Sequence, residues 1–278
     1  MAIHHSATPK AGILLVGFGS TVLQAQTAYE RMTDRVQMLF PNMPIRWAYT
    51  SPRIRRILTQ RGQYFDSVEM ALARMMDDGF THVAVQSLQV ISGKENHELL
   101  VNCRMFGQMV GGFREIRVGL PLLSTESDMN NTAAALLAAI PKERTPEEAV
   151  IFVGHGSPHP SNAFYTALMF HLQERDPLVF LGTISGWPDV ADIQDRLLQR
   201  RIHTAWLLPC LAVVGNHALK DMAGDSSGSW KSTLEHAGII CKPVLKGLLE
   251  YDAVADIWTD HLKQIAGPWA AISDGNVS

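Results

Sequence analysis

The sequence VGFGS at residues 16–20 closes an apolar run in the first half of the chain, and VGHGS at residues 153–157 closes a matching run in the second half. A strand that ends in Gly-X-Gly-Ser turns sharply and exposes residue X at its carboxyl end, where open α/β sheets bind their ligands. Residue X is Phe18 in the first copy and His155 in the second. The two stretches indicate a duplicated fold whose halves differ at an exposed, ligand-facing position.

Three more apolar runs follow in the same order in each half. They pair residues 45–51 with 179–185, 82–93 with 205–215, and 118–121 with 241–243. Such runs, bounded by Gly, Pro or Ser, are typical of strands buried on both faces of a parallel sheet. Helical spacing lies between them, at residues 21–40, 66–79, 127–140, 189–201 and 251–265. The pattern predicts an α/β protein with two similar doubly wound parallel-sheet lobes and a cleft between them.

Length and composition agree with two lobes. A chain of 278 residues with 46% apolar residues can bury two modest cores. The stretch PKERTP at residues 141–146 reads as a linker. The predicted lobes are therefore residues 1–141 and residues 147–278, and the second lobe carries the candidate metal-binding histidines.

Charge and apolar patterning exclude several partners. The formal net charge is −3 and no long basic run occurs, so nucleic acid and anionic membranes are poor candidates. No apolar segment reaches transmembrane length, and the first ten residues, MAIHHSATPK, lack the layout of a secretory signal. Three widely spaced cysteines read as free core thiols of a reducing compartment. We expect a cytoplasmic protein; a processed periplasmic chain, which would look the same, is the alternative.

Two histidines are the candidates for metal binding. His155 has no neighbouring side chains in its Gly-His-Gly turn, which is a poor place for a packing residue and suits a ligand or an acid–base group. His217 follows the apolar run at residues 205–214 and also emerges at a carboxyl strand end. Two neutral imidazoles that converge there would bind a borderline divalent metal. Taken alone, His217 is equally compatible with helix capping or surface exposure.

The duplication adds Glu95. Gly93-Lys94-Glu95 aligns with Gly215-Asn216-His217, so Glu95 is the counterpart of His217 and should face the cleft from the opposite lobe. A carboxylate there suggests proton transfer near a bound cation. The alternative is a solvated acid at a helix start, favoured by the macrodipole. His97, two residues on, is either a ligand in the cleft or, by default, an exposed side chain.

Arginines are concentrated after the second predicted strand, at positions 53, 55, 56 and 61. A Ser-Pro helix opening with guanidinium groups is suited to carboxylates or phosphates, so the ligand is expected to be a polyanion; a solvated basic face is the alternative. His159 and His171 are left out of the site, because prolines flank His159 and His171 lies in a helical pattern. The second copy has His where a nucleophile elbow needs Ser, which disfavours a hydrolase.

The chain resembles the anaerobic sirohydrochlorin cobaltochelatases, class II chelatases that insert a divalent metal into the tetrapyrrole precursor of cobalamin. The resemblance covers about residues 12–265. It rests on GILLVGFGS, RWAYTS with the following IRR, HVAVQSL, VGLPLL, VIFVGHGSPHP and GNHALKDMAGD. It implies two α/β lobes with the tetrapyrrole between them and no requirement for a nucleotide.

The resemblance also implies roles for individual residues. His155 and His217 would bind the metal, and His155 and Glu95 would be the catalytic residues, with Glu95 assisting proton movement or metal delivery. Arg55 would bind carboxylates of the macrocycle. Phe18, Ser20 and Gln89 complete the expected substrate-binding set. Some family members bind haem between subunits through a histidine in the region of His97, which makes a haem group and a homo-oligomer further expectations.

Three positions depart from the family pattern. Ser185 stands where the family usually has a glutamate that is a third metal ligand, so Ser185 is expected to reach the metal through water. Gln89 stands where relatives commonly have histidine, and Asn216 replaces an aspartate. Fewer carboxylates lower the affinity for a metal and can change metal preference.

The predicted function is the ATP-independent insertion of Co²⁺, with Fe²⁺ as the alternative metal, into sirohydrochlorin during cobalamin or sirohaem biosynthesis. The competing hypothesis is a non-catalytic tetrapyrrole or haem carrier that kept the cleft after losing part of its metal site. A bilobal solute-binding protein is disfavoured, because its ligands would not require paired histidines at duplicated strand ends.

Overall fold

The computed structural model describes residues 9–270, which contain two four-stranded sheets with all strands parallel. The first sheet has the order β2-β1-β3-β4, and the second has the order β6-β5-β7-β8. The strands are β1 (Ala11–Gly17), β2 (Ile45–Tyr49), β3 (His82–Ser87), β4 (Glu115–Gly119), β5 (Ala149–Gly154), β6 (Val179–Thr183), β7 (Thr204–Cys210) and β8 (Ile240–Pro243). The same strand order in both sheets confirms the predicted duplicated α/β fold.

Helices connect successive strands in both halves. They are α1 (Leu23–Leu39), α2 (Pro52–Gln60), α3 (Val68–Asp77), α4 (Lys94–Gln108), α5 (Glu126–Ala138), α6 (Ala163–Gln173), α7 (Val190–Gln199), α8 (Trp230–His236) and α9 (Asp252–Ala266). The five segments with helical spacing correspond to α1, α3, α5, α7 and α9. A 3₁₀ turn at Pro160–Asn162 and a π-helical turn at His217–Met222 lie beside the site.

Polar side chains begin several of these helices. Ser51 accepts a hydrogen bond from the Ile54 amide at the start of α2, as the Ser-Pro sequence predicts. Thr125 and Asp128 form a capping box at α5, and a matching box begins α7. Such caps satisfy amide groups that have no partner within the helix, so the helix starts are fixed by local sequence.

The strand registers place the duplicated turns at equivalent positions. Gly17, the last residue of β1, is paired with Tyr49 of β2, and Gly154, the last residue of β5, is paired with Thr183 of β6. Phe18 and His155 therefore each follow the end of an inner strand, β1 or β5, of a four-stranded sheet. Parallel strands bring the following loops to one edge, so ligand-facing side chains of each lobe collect there.

Loops from the two carboxyl edges meet. A Cβ added at Gly215, after β7, would lie 3.5 Å from Ser20 Oγ, after β1. A Cβ added at Gly93, after β3, would lie 3.9 Å from Ser161 Oγ, after β5. β1 corresponds to β5, and β3 corresponds to β7. Each contact therefore joins the loop after the first strand of one half to the loop after the third strand of the other half. The two lobes thus face each other across their ligand-binding edges.

Two helices pack beyond the sheet of their own half. α9 follows β8 in the chain but packs against β3, β4 and α5, and α5 packs against α6. The Trp258 indole of α9 donates a hydrogen bond to the Gln89 carbonyl oxygen at 3.3 Å. A single hydrophobic cluster contains buried residues of both sheets. The proposed division at residues 141–147 therefore separates the two sheets but not the helices packed on them.

No helix within residues 9–270 has both the length and the apolar composition needed to cross a bilayer. Residues 1–8, on which the expected compartment partly rests, lie outside the described residues.

Candidate metal centre

The sharp turn after β5 exposes the His155 side chain. Gly156 has a φ of +77°, and a Cβ there would lie 2.8 Å from the Gly186 nitrogen, so the turn requires glycine. A Cβ at Gly154 would lie 2.7 Å from the Tyr165 ring of α6. Small residues on both sides of His155 let the chain pass close to its neighbours while the imidazole points away from the core.

His217 begins the π-helical turn after β7. Its Nδ1 lies 2.6 Å from Asp221 Oδ2, four residues later in the same turn. Both side chains are partly exposed. The carboxylate can only accept, so Nδ1 of His217 carries a proton and donates, and in a neutral ring Nε2 is then the nitrogen with a lone pair. A carboxylate on the far nitrogen fixes the ring orientation and raises the basicity of a metal-binding histidine.

The two imidazoles lie in contact, as the sequence predicts. Their ring centroids are 4.6 Å apart and their planes are at 83°. His155 Nδ1 lies 2.9 Å from the Gly156 carbonyl oxygen, which only accepts, so in a neutral ring Nε2 of His155 also has the lone pair. With metal–nitrogen bonds of about 2.1 Å, two rings on adjacent positions of an octahedral ion have centroids about 4.6 Å apart. The pair therefore has the spacing of two ligands to one ion.

The substrate-binding residues expected in the first lobe have different degrees of exposure. The Phe18 ring is 48% exposed and offers an apolar face beside the cleft. Ser20 is buried, accepts a hydrogen bond from the Val22 amide at 3.2 Å and lies against Gly215, two residues before His217. Gln89 is half-buried, and its side chain accepts a hydrogen bond from Ser87. Of these residues, Phe18 presents the largest free surface.

Arg55 lies on α2 and turns back to the end of β2. Its Nη1 donates to the carbonyl oxygens of Tyr49 and, at 3.0 Å, of Thr50. These bonds hold the guanidinium at the carboxyl edge of the first sheet. Its Nε and Nη2 groups have further N–H donors for a carboxylate.

Glu95 and His97 lie on the first turn of α4, and both are exposed. No hydrogen bond or ion pair within residues 9–270 joins Glu95 to either histidine of the candidate centre. The His97 ring contacts the ring of His159, with centroids 4.8 Å apart. The structure therefore groups His97 with a histidine that the sequence analysis left outside the site.

Comparisons with known proteins place these features in a family. The family model for cobalt chelatase (CbiK) matches residues 11–267. The chain belongs to this family. It is 44% identical to the sirohydrochlorin cobaltochelatase CbiKC of Nitratidesulfovibrio vulgaris over 258 residues, which cover 93% of this chain and 91% of that protein. It is 32% identical to the sirohydrochlorin cobaltochelatase of Salmonella typhimurium over 259 residues, which cover 92% and 96% of the two chains.

A solved structure supports the fold. SirB from Bacillus subtilis with Fe³⁺ superposes with a TM-score of 0.61 at 17% identity, and the match covers 96% of this chain and 98% of SirB. The resemblance in sequence to the cobaltochelatases is thus confirmed by the family match, and the two-lobe fold is shared with a chelatase of low sequence identity.

Ser185, which the resemblance suggests stands in place of a metal-binding glutamate, lies beside the turn that carries His155. The Ser185 amide donates to the His155 carbonyl oxygen at 2.8 Å, and the serine side chain is exposed. No group of three or more His, Cys, Asp or Glu side chains suited to a metal occurs within residues 9–270. The carboxylate joined to the histidine pair is Asp221, which the sequence analysis missed. The sequence does indicate this contact, because Asp221 follows His217 by four residues, and that spacing places both side chains on one face of a helical turn.

The three cysteines take no part in this centre. Cys103, Cys210 and Cys241 are buried and free, and burial raises the pKa of each thiol to about 12. A thiol must lose its proton to bind a metal. Cys210 ends β7 beside Gly154, so it contributes packing rather than a ligand.

Proposed function

We propose that this protein is an ATP-independent sirohydrochlorin cobaltochelatase, which inserts Co²⁺ into sirohydrochlorin for cobalamin biosynthesis. The observation that carries the proposal is the contact between His155 and His217, whose Nδ1 atoms each lie beside an oxygen acceptor and so leave Nε2 as the nitrogen for a metal. Membership of the cobalt chelatase family and 44% identity to a named sirohydrochlorin cobaltochelatase supply the reaction. Fe²⁺ is the alternative metal, with sirohaem as the corresponding product.

The reaction exchanges protons for a cation without any redox change. Two pyrrole N–H groups lose their protons, and the ring nitrogens take the Co²⁺ as it leaves its water and protein ligands. His155 and His217 would hold the ion first. Neutral imidazole binds Co²⁺ well but releases it to a chelating macrocycle, which a set of anionic ligands would resist.

The two protons need an acceptor beside the cleft. Glu95 is proposed for this role, because its exposed carboxylate lies on the first turn of α4, after a strand that ends at the same edge as β1. His155 is the second candidate, since its Nε2 becomes free to accept a proton once the metal has passed to the macrocycle.

Substrate binding is proposed for the first lobe. The Phe18 ring would contact the face of the macrocycle, and the free N–H groups of Arg55 would bind one of its carboxylates. Ser20 would act through Gly215, because it is buried against the loop that carries His217. Gln89 would line the cleft from the loop after β3, and Ser185 would reach the metal through a water molecule.

The absence of a carboxylate at Ser185 favours one competing function, a carrier that binds the tetrapyrrole without inserting metal. Haem bound through His97, a homo-oligomer and a cytoplasmic location, with the periplasm as the alternative, remain predictions for this chain. One measurement, the rate of cobalt insertion with and without the protein, distinguishes a carrier from a chelatase.

The experiment mixes the purified protein with sirohydrochlorin and Co²⁺ without oxygen and follows the visible spectrum. A rate above that of the same mixture with His155→Ala protein is expected. If both rates equal the reaction without protein while sirohydrochlorin still binds, the protein is a carrier. Repeating the measurement with Fe²⁺ compares the two metals.

A further inference from the structure

The second lobe has an exposed tryptophan beside the candidate metal centre. The chain has six tryptophans, and the structure describes all of them. Trp187 is 52% exposed, whereas the other tryptophans are buried or half-buried. Tryptophan is highly buried on average in folded proteins, because its large ring gains much from leaving water. The exposed indole therefore needs an explanation, and its place in the fold supplies one.

The Trp187 ring makes no specific contact in the described part of the chain. It takes part in no aromatic pair or cation–π contact there, and its Nε1 donates no hydrogen bond. The half-buried Trp47 and Trp206 each donate to a side-chain oxygen instead, at 2.9 and 2.7 Å. Trp187 thus has both a flat apolar face and a hydrogen-bond donor available for a ligand.

The loop that carries Trp187 is fixed to the turn that carries His155. Asn162 Nδ2 donates to the Trp187 carbonyl oxygen at 2.6 Å, and Asn162 Oδ1 accepts from the Ser157 amide at 3.0 Å. The Ser185 amide also donates to the His155 carbonyl oxygen at 2.8 Å. One asparagine therefore joins both segments, and the backbone of Trp187 has a defined position relative to the metal centre.

This loop lies at the edge of the second sheet that faces the first lobe. It follows β6, which is parallel to β5 and paired with it, so it ends at the same carboxyl edge as His155. Its counterpart in the duplicated fold is the loop after β2, which leads into the helix of Arg55. The carboxyl edges of the two sheets face each other, so Trp187 lies on the cleft side of the second lobe.

A tetrapyrrole in this cleft needs a partner on the second lobe. The residues proposed above to bind the macrocycle, Phe18, Ser20, Arg55 and Gln89, all belong to the first lobe. A macrocycle between two lobes presents a flat apolar face to each of them. An indole ring suits such a face, and its N–H can donate to a carboxylate at the rim. A ring on a loop that is already ordered also loses little conformational freedom on binding.

We propose that Trp187 binds the tetrapyrrole from the second lobe by packing its indole against the macrocycle. The identity of the macrocycle rests on the proposed function, but the contact itself does not require metal insertion. Trp187 holds the substrate equally before and during the reaction, because it exchanges no proton or metal ion. Trp187→Ala should therefore raise KM for sirohydrochlorin and change kcat little.

The direct test measures sirohydrochlorin binding without metal or oxygen, by titration followed in the visible spectrum. Trp187→Ala should raise the dissociation constant by about 10- to 100-fold, the usual effect of removing an aromatic ring from a stack. Trp187→Phe keeps an aromatic face and should stay within about threefold of the unaltered protein. Phe170→Ala is the matched control and should change nothing, because Phe170 is 62% exposed but lies near the end of α6 that is remote from the cleft edge.

Co²⁺ binding without tetrapyrrole separates a local effect from a distorted structure. Trp187→Ala should keep the Co²⁺ affinity of the unaltered protein in a calorimetric titration, because alanine keeps the carbonyl group that Asn162 binds. A parallel loss of Co²⁺ affinity would mean that the substitution moves the turn of His155, and would overturn the proposal. So would an equal loss of sirohydrochlorin affinity in Phe170→Ala.

The outcomes distinguish this proposal from the proposed function. If the unaltered protein inserts Co²⁺ and Trp187→Ala binds sirohydrochlorin equally well, the role of Trp187 is wrong and the chelatase stands. If the unaltered protein binds sirohydrochlorin without inserting metal, and Trp187→Ala binds it weakly, the chelatase is contradicted and Trp187 is supported. If the unaltered protein does not bind sirohydrochlorin, both are contradicted.

A second copy of the chain is the other occupant that an exposed indole could have. Size-exclusion chromatography with light scattering compares the oligomeric state of Trp187→Ala with that of the unaltered protein, and we expect the two to agree. A changed oligomeric state with an unchanged affinity for sirohydrochlorin would assign the ring to a subunit interface and overturn the proposal.

Discussion

The turn after β1 and the turn after β5 both need a glycine with positive φ but present different side chains. Each has a glycine with positive φ, Gly19 at +90° and Gly156 at +77°. Each ends its strand on a glycine packed against a buried tyrosine of the next helix. One turn exposes a phenyl ring and the other an imidazole. Duplication therefore supplies the position in both lobes, and the proposed metal site needs histidines at two such positions, which only the second lobe has.

Exchanging these side chains is the strongest test of that comparison. His155→Phe should lower the rate of metal insertion by about 1000-fold, or about 4 kcal/mol, because it removes the proposed metal ligand and proton acceptor. The spectroscopic assay of insertion measures the rate.

The reciprocal change supplies the control. Phe18→His combined with His155→Phe should not restore activity, because the first lobe has Glu95 rather than a histidine at the position equivalent to His217. Recovery in the double variant would mean that the two turns are interchangeable.

Gly156, in the turn after β5, should tolerate a side chain less well than Gly62, which has the same φ but no close neighbours. Gly156→Ala should lower the free energy of unfolding by about 3 kcal/mol, from left-handed backbone strain and a clash with fixed backbone atoms. Gly62→Ala is the control for strain alone, since its φ is also +77° and nothing lies within 4 Å. It should cost about 1–2 kcal/mol. Urea unfolding measures both, and equal losses would argue against the clash.

Asp221 distinguishes the second lobe further. Asp221→Asn should weaken Co²⁺ binding at His155 and His217 by about 10- to 100-fold, because the amide no longer stabilises the proton on His217 Nδ1 as a carboxylate does. Calorimetric titration measures the affinity. Asp225→Asn, which removes an exposed carboxylate of the same motif paired with Lys231, should leave the affinity unchanged.

Ser185 gives the smallest expected effect. Ser185→Glu should raise Co²⁺ affinity by about tenfold through a third, anionic ligand beside His155. Ser185→Gln has the same size without the charge and should not. If both variants match the original protein, the side chain at position 185 does not face the ion.

Much of the fold could be predicted from the sequence. Buried parallel strands appear as apolar runs, and the repeat identified both sheets. β4 was harder, because it is an edge strand whose first residues, Glu115 to Arg117, are only half-buried. The position of α9 could not be predicted. Its apolar face indicates that the helix packs against a sheet, but it does not indicate which of the two sheets.

The candidate site shows the same limit. Histidines at strand ends could be found because a carboxyl edge gathers them, so the contact between His155 and His217 was predictable. The contact of His97 with His159 could not be, because it depends on how two lobes meet. The bonds from Arg55 to the end of β2 likewise depend on where α2 lies.

The crossing of α9 has a consequence for motion. In two-lobed proteins joined by a hinge alone, the lobes swing apart to admit a ligand and close over it. Here α9 extends from the second lobe onto the first sheet, and one apolar core continues through both. We therefore expect the cleft to have the same width with and without bound tetrapyrrole. The macrocycle would then adapt its shape to the protein, and the product would leave without a movement of the lobes.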